Sequence, residues 1–294
     1  MHFDLFLMGI LQGLVLALVA YALMIPFRLL NFTDLSAEGA YPLGAAVCAS
    51  LLLVNINPLL SILFAAIASG FLGIATSLIH LRLRVNTILA GIIVSTMAYS
   101  VNLRMVGKPN VALFDSCLLF TNTGVLQNIC IVGCIIITLI LPSILFLRTE
   151  LGLRFIAVGL NPNFASRQCI AVPRYIVVGL FIANFYTGIA AGLTVNLQSY
   201  MDVGMGIGIV IHALAALMIG ECLIGNYTIN RQLIAPLLGA LLYQQIQGLV
   251  MFLGLAPSDL KFLTGAIVLA VIAFKNKKIL SYQSIPSKID ASLK

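Results

Sequence analysis

Residues 5–25 read LFLMGILQGLVLALVAYALMI. The run carries no charged side chain. At about 1.5 Å per helical residue it is long enough to cross a hydrocarbon core about 30 Å thick. In lipid every backbone N–H and C=O must bond within its own segment, so such a run is a helix. Only Asp4, and no Lys or Arg, precedes it, and the run exceeds the core of a secretory signal. It therefore reads as a retained first span.

The rest of the chain repeats the pattern. Its 294 residues are 61% hydrophobic and 9% charged, with a mean hydropathy of +1.12. Soluble domains carry about 25% charged residues, so the fold class is an all-α polytopic membrane protein. Nine spans are expected, within a range of eight to ten: 5–25, 40–55, 58–80, 87–106, 128–147, 174–196, 207–224, 232–253 and 260–274. The second and last are short, and the Gly-rich flanks of the second predict a broken helix. This divides the chain into a transmembrane domain over 1–274 and a cytoplasmic tail over 275–294.

Loop charge sets the orientation. All sixteen Lys and Arg except Arg104, Lys108 and Lys261 fall in 26–39, 81–86, 148–174, 225–231 and 275–294, which alternation puts on one side. Basic loops stay cytoplasmic. The N-terminus is then expected outside and the C-terminus inside, with KNKK (275–278) as the last anchor. The same distribution explains the net charge of +7, and without a basic patch interleaved with aromatics it argues against nucleic acid. The six cysteines lie mostly in apolar runs without metal-type spacing to His, as buried filler does.

One cytoplasmic loop is too polar for lipid and too apolar for a linker: ELGLRFIAVGLNPNFASRQCIAVPR, 150–174. Asn161 followed by Pro162 predicts a helix start, cap then first turn. NFASRQC continues it for about two turns. Gly159 reads as the stop of the preceding helix and Pro173 as the stop of the short one. The residues alone leave open whether this surface helix anchors the loop or docks a partner.

This stretch resembles the cytoplasmic coupling loop of ATP-binding-cassette importer permeases of the branched-chain amino acid and ribose type. Thr149, Leu151, Gly152, Gly159, Asn161 and Ala165 fit that pattern, while Phe155-Ile156 and Cys169-Ile170 depart from it. NFTDLSAEGAYPLGAAV (31–47), residues 56–110 and HALAALMIGE (212–221) are similar to a narrower, aromatic-amino-acid-type subfamily, with His212 where a glycine is usual. The resemblance covers nearly the whole chain. It implies a type II importer-like fold and a non-catalytic subunit that binds no cofactor. It implies a partner ATPase holding ATP and Mg, a separate extracytoplasmic substrate-binding protein, a second permease copy and a bacterial inner-membrane location. The docking loop would comprise Arg154, Gly159, Leu160, Asn161, Pro162, Phe164, Ala165 and Arg167. The solute would be an amino acid, aromatic in the narrower subfamily.

The residues agree at two points. No G-x-x-x-x-G-K-[ST] stretch occurs, so the chain has no P-loop of its own. No loop is long enough for a substrate-binding domain. DLSAEGAYPLGAAV (34–47) and DVGMGIGIVIHALAAL (202–217) echo each other on opposite sides, a candidate inverted repeat.

Polar groups inside spans face the bundle interior or a cavity. Candidate path residues are Ser95, Tyr99 and Asn102 on one face, Asn184 with Thr187, and Gln244 with Gln247. The plain alternative for each is interhelical hydrogen bonding. Asp34, Glu38 and Gly39 lie before span two, where acids suit a helix N-terminus. Glu221 is placed to pair with Arg231 or a partner's cation. His80 and His212 stand alone, without the companions a metal needs. An autonomous ion-coupled transporter is the alternative function, and the absence of a mid-span carboxylate counts against it. An intramembrane enzyme lacks both H-E-x-x-H and G-x-S-x-G.

Overall fold

The computed structural model describes residues 2–114, 118–120, 124–225, 228–254, 259, 262–271 and 273. Lys261 and the 275–294 tail, with its KNKK anchor, lie outside the described residues. The helices are α1 (His2–Met24), continued by a wide π turn over Ile25–Leu29, then α2 (Ala37–Leu53), α3 (Pro58–Leu83), α4 (Thr87–Val106) and α5 (Val125–Leu147). After them come α6 (Glu150–Leu160), α7 (Pro162–Arg167), α8 (Val172–Gln198), α9 (Ile209–Ile224), α10 (Ile229–Phe252) and α11 (Phe262–Val271).

Seven of the described helical segments, not nine, are long and apolar enough to cross a membrane. The exceptions are α2 and α11, the two spans the sequence marked as short. A two-stranded antiparallel ribbon, β1 (Asn110–Ala112) with β2 (Tyr200–Asp202), ties the chain after α4 to the chain after α8. Hydropathy gave no sign of it, since three residues per strand are too few for a period-two pattern.

The core is built on small residues. At the junction of α2, α3 and α8 a Cβ on Gly44 would lie 2.8 Å from Ser69 Oγ and 2.9 Å from Gly188 Cα. Ser69 Oγ donates to the Ala40 carbonyl at 2.8 Å, tying α3 to α2. Lipid supplies no hydrophobic drive between helices, so close backbone approach and such bonds carry the packing. The α9–α10 contact is tighter still. A Cβ on Gly220 would stand 1.9 Å from Ala235 O, and one on Gly239 would stand 1.9 Å from Ala216 O. By contrast α5, with 11% of its apolar window buried, lies at the periphery and turns mostly outward.

Gly239→Val should therefore lower the thermal midpoint in detergent, by the about 1–3 kcal/mol that overpacking costs. Gly248→Val on the same helix meets nothing within 4 Å and should leave the midpoint unchanged. Fluorescence-detected unfolding of the two variants checks the contrast.

Candidate functional site

The loop between the π turn and α2 turns Phe32, Asp34 and Ser36 into the bundle and leaves Asn31 and Thr33 exposed. Gly91 of α4 lies against its backbone, where a Cβ would sit 2.9 Å from Leu35 N. Asp34, 1% exposed, accepts from Ser36 N at 2.8 Å, Ser36 Oγ at 2.8 Å and Asn184 Nδ2 at 3.4 Å. Asn184 also donates to Ser36 Oγ at 3.1 Å and to Leu180 O at 3.0 Å. It stands 12 residues into α8, about 18 Å along the helix at 1.5 Å per residue. Non-helical backbone at this depth is tolerated only when buried in protein. Here the carboxylate satisfies the amide and hydroxyl of Ser36, the residue that caps α2. The expectation of a carboxylate near the cytoplasmic face is corrected: Asp34 supports the cap, but from within the bundle.

Glu38, in the first turn of α2, lines a shallow groove of about 200 Å³ with Gly39, Ser95, Tyr99 and Ile207. Gly39 is obligatory there, since a Cβ would lie 2.5 Å from the Ser95 Cα. Opposite it, Asp202 repeats the Asp34 device by accepting from Gly204 N. Gly206 then packs on the Glu38 carbonyl, where a Cβ would come within 2.2 Å. The two echoed motifs thus meet at the groove.

The polar residues of the spans divide rather than forming one path. Ser95 and Tyr99 line the groove. Asn102, one turn further along α4, is fully buried, and among the described residues neither its amide nitrogen nor its oxygen has a partner. Thr187 is spent on its own helix, donating to Ala183 O at 3.1 Å. Gln244 and Gln247 line a separate cavity of about 360 Å³. Its wall includes Gln12, Tyr41, Thr194, His212 and Tyr243, which sequence reasoning left out. His212 is not isolated: its Nδ1 lies 2.6 Å from Tyr243 Oη. The i, i+4 spacing of Tyr243 and Gln247 was the signal available for this cluster.

At the other end of the bundle lies the 150–174 segment. Thr149 caps α6, and Asn161 caps α7 by accepting from Phe164 N at 3.0 Å, as Asn-Pro predicts. Two boundaries differ from expectation. Gly159 does not stop α6, which continues to Leu160, and Pro173 opens α8 instead of closing α7. Gly159 is needed for approach: a Cβ there would lie 1.8 Å from Leu29 O. Gly152, seven residues earlier on the same face, would put its Cβ 2.3 Å from Phe146 O. The helix is thereby seated on the π turn and on the end of α5, with Phe155 and Ala165 buried. Its outer side exposes Leu160 (82%), Phe164 (57%), Arg154 and Arg167. Arg154 lies 3.7 Å from Glu150 in a solvent-facing pair, which is worth little. Beside this seat Glu221 pairs with Arg28 of the π turn, not with Arg231. The π turn carries Arg28 back over the end of α9, a geometry an ideal-helix reading of 5–25 does not contain.

A family model described as "Branched-chain amino acid transport system / permease component" matches residues 5–272. The chain belongs to this family. It is a transmembrane permease component, the non-catalytic part of an amino acid importer of the ATP-binding-cassette class. The permease is 32% identical over 268 residues to a tyrosine transport system permease protein of Clostridioides difficile (strain R20291), covering 91% of this chain and 90% of that one. It is 27% identical over 264 residues to an uncharacterized protein of Rickettsia prowazekii (strain Madrid E), covering 87% and 92%. No solved structure matches it.

The orphaned Asn102 amide gives a test of the permease's polar interior. A buried unsatisfied group costs about 1–3 kcal/mol. Asn102→Leu should raise the thermal midpoint in detergent while lowering solute uptake. A midpoint that falls would mean that Asn102 is satisfied in the resting protein.

Proposed function

We propose that two copies of the permease form the membrane path of an inner-membrane importer for an aromatic amino acid. A partner ATPase grips the 150–173 segments, and a separate binding protein delivers solute from outside. The observation that carries this reading is the seat of α6 and α7. A helix held backbone-to-backbone on the π turn, with an apolar and basic outer face, is built to receive a load and pass it inward. Nothing in lipid or water requires so rigid a seat for a loop that only anchors itself.

The sidedness follows from charge. Arg28, Arg82, Arg84, Arg148, Arg154, Arg167, Arg174 and Arg231 gather at the end that holds the docking segment, against Arg104 and Lys108 at the other. Positive loops are cytoplasmic, so the N-terminus lies outside and ATP with Mg binds the partner on the inner side.

A second copy is supported by α4. Only 28% of its apolar window is buried, and its open side mixes Ser95, Thr96, Tyr99 and Ser100 with apolar residues such as Ile92, Met97 and Val101. Such a mixed face suits packing on another protomer, its polar residues toward a path. The solute class rests on the named relative and on the cavity described below.

Asp34 is a buried carboxylate of the kind an ion-coupled carrier would need, but its bonds to Ser36 and Asn184 give it a structural task. Phe164→Glu and Arg154→Glu should each cut ATP-driven uptake at least about tenfold, a loss near 1.4 kcal/mol of coupling. The chain should still reach the membrane, and a P-loop ATPase should co-purify with the unaltered permease. Full uptake by both variants, or uptake by the permease alone under an ion gradient without ATP, would sink the proposal.

A further inference from the structure

We infer that the cavity between α1, α8, α9 and α10 is a holding site for the solute within each protomer, distinct from the groove beside α4. It takes an α-amino acid with an aromatic ring, its polar head at the mouth and its ring inside. The inference rests on the importer reading for its solute class and on this chain's own residues for the site.

The cavity measures about 360 Å³, toward the lower end for small-molecule sites. It has room for one amino acid. Among the described residues no Asp, Glu, Lys or Arg lines it. One wall is apolar, with Leu11, Val15, Leu16 and Val19 of α1; the other is polar but uncharged. That division matches a molecule with a ring and a polar end. A site without formal charge also holds a zwitterion weakly, as a transporter needs for release.

Two sets of hydrogen-bonding groups face the space. At the exposed mouth Gln244 Nε2 donates to Gln12 Oε1 at 2.7 Å. That single bond leaves the Gln12 amide protons for a carboxylate and the Gln244 carbonyl oxygen for an ammonium. Deeper lies a connected cluster. Tyr243 Oη sits 2.6 Å from His212 Nδ1 and 2.8 Å from Thr264 Oγ1, and it accepts from Gln247 Nε2 at 2.8 Å. Tyr243, Gln247 and Thr264 are at most 9% exposed. Such a cluster is costly among apolar helices unless every member is satisfied. With Tyr243 Oη saturated by three partners, the group the cluster leaves toward the cavity is the Gln247 carbonyl oxygen, which can accept from a ring hydroxyl.

Ile207 lines both the cavity and the groove, and it is 70% exposed. It follows the Asp202–Gly206 turn that packs on α2. The holding site and the polar face of α4 are therefore neighbours with one side chain between them. Solute held in the protomer needs to pass only Ile207 to reach the groove.

The test uses the whole transporter in proteoliposomes with ATP, and L-tyrosine and L-phenylalanine as radiolabelled probes. Gln12→Leu and Gln244→Leu should raise KM for both probes about tenfold. Gln247→Leu should change the tyrosine-to-phenylalanine KM ratio by a similar factor, because a site built to bond a hydroxyl discriminates through it. Unchanged KM values in all three variants would overturn the site. Uptake of neither probe by the unaltered transporter would overturn the solute class. Where Gln247→Leu does not reach the membrane, Gln244→Cys decides: maleimide labelling slowed by L-tyrosine supports the site, and labelling indifferent to it refutes it. Dependence of uptake on ATP reports on the importer reading alone, so the two can fail separately.

Discussion

The permease is organised around the start of α2, where a helix begins inside the bundle instead of at its surface. A helix N-terminus presents unpaired amides, and in a membrane interior these must find partners in the protein. The Asp34 carboxylate takes the Ser36 amide, and the Leu35 and Ser36 carbonyls take those of Glu38 and Gly39. Because α2 begins late, the chain ahead of it stays non-helical and can lie against α4 and α8. Because its first turn carries Gly39 and α4 carries Gly91, α4 can close to backbone contact at both. The groove, the seat of the π turn and the meeting with the Asp202 motif all follow from that one buried helix end.

A mechanical route follows from the same arrangement. The 150–174 segment touches the π turn through Gly159 at Leu29, and Leu30 touches α8 at Gly179. Phe32 stacks edge-on against His80 with ring centroids 5.1 Å apart. The next residues are Asp34 and the first turn of α2, which forms one wall of the groove. On the proposed function, a displacement at α6 would reach the groove through the irregular chain over 30–36. The rest of the bundle, close-packed on small residues, has less freedom to yield. Arg28 with Glu221 pins one side of this route to α9, so α9 and its N-terminal turn share in the movement.

Much of this was legible in the sequence. Hydropathy located the membrane helices and marked 40–55 and 260–274 as short, and Asn161-Pro162 marked the start of α7. What escaped has a common cause. Gly159 read as a stop because a glycine near a helix end usually is one. Its actual requirement, the Leu29 carbonyl, lies 130 residues away in sequence. Asp34 read as a surface cap because nothing local reveals depth. Ser95, Tyr99 and Asn102 share a helical face, yet the third is covered by packing that spacing cannot foresee. His212 seemed alone because Tyr243 reaches it from another helix. The echo between 34–47 and 202–217 was visible as composition, and the structure adds the shared Asp device and the contact of the two segments.

The account stands on the claim that load on the docking segment moves the α2 wall of the groove. Electron–electron spin distances between labels at Met97 of α4 and Ile207, both exposed, report on the width of the groove between α4 and the turn that packs on α2. The measurement belongs in the reconstituted transporter, in a background without reactive cysteines, with its ATPase nucleotide-free and then ATP-bound. The account predicts a distance distribution that shifts with ATP, and a shift that is lost when Gly159→Val unseats α6 from Leu29. An unchanged distribution in a transporter that still takes up solute would contradict it.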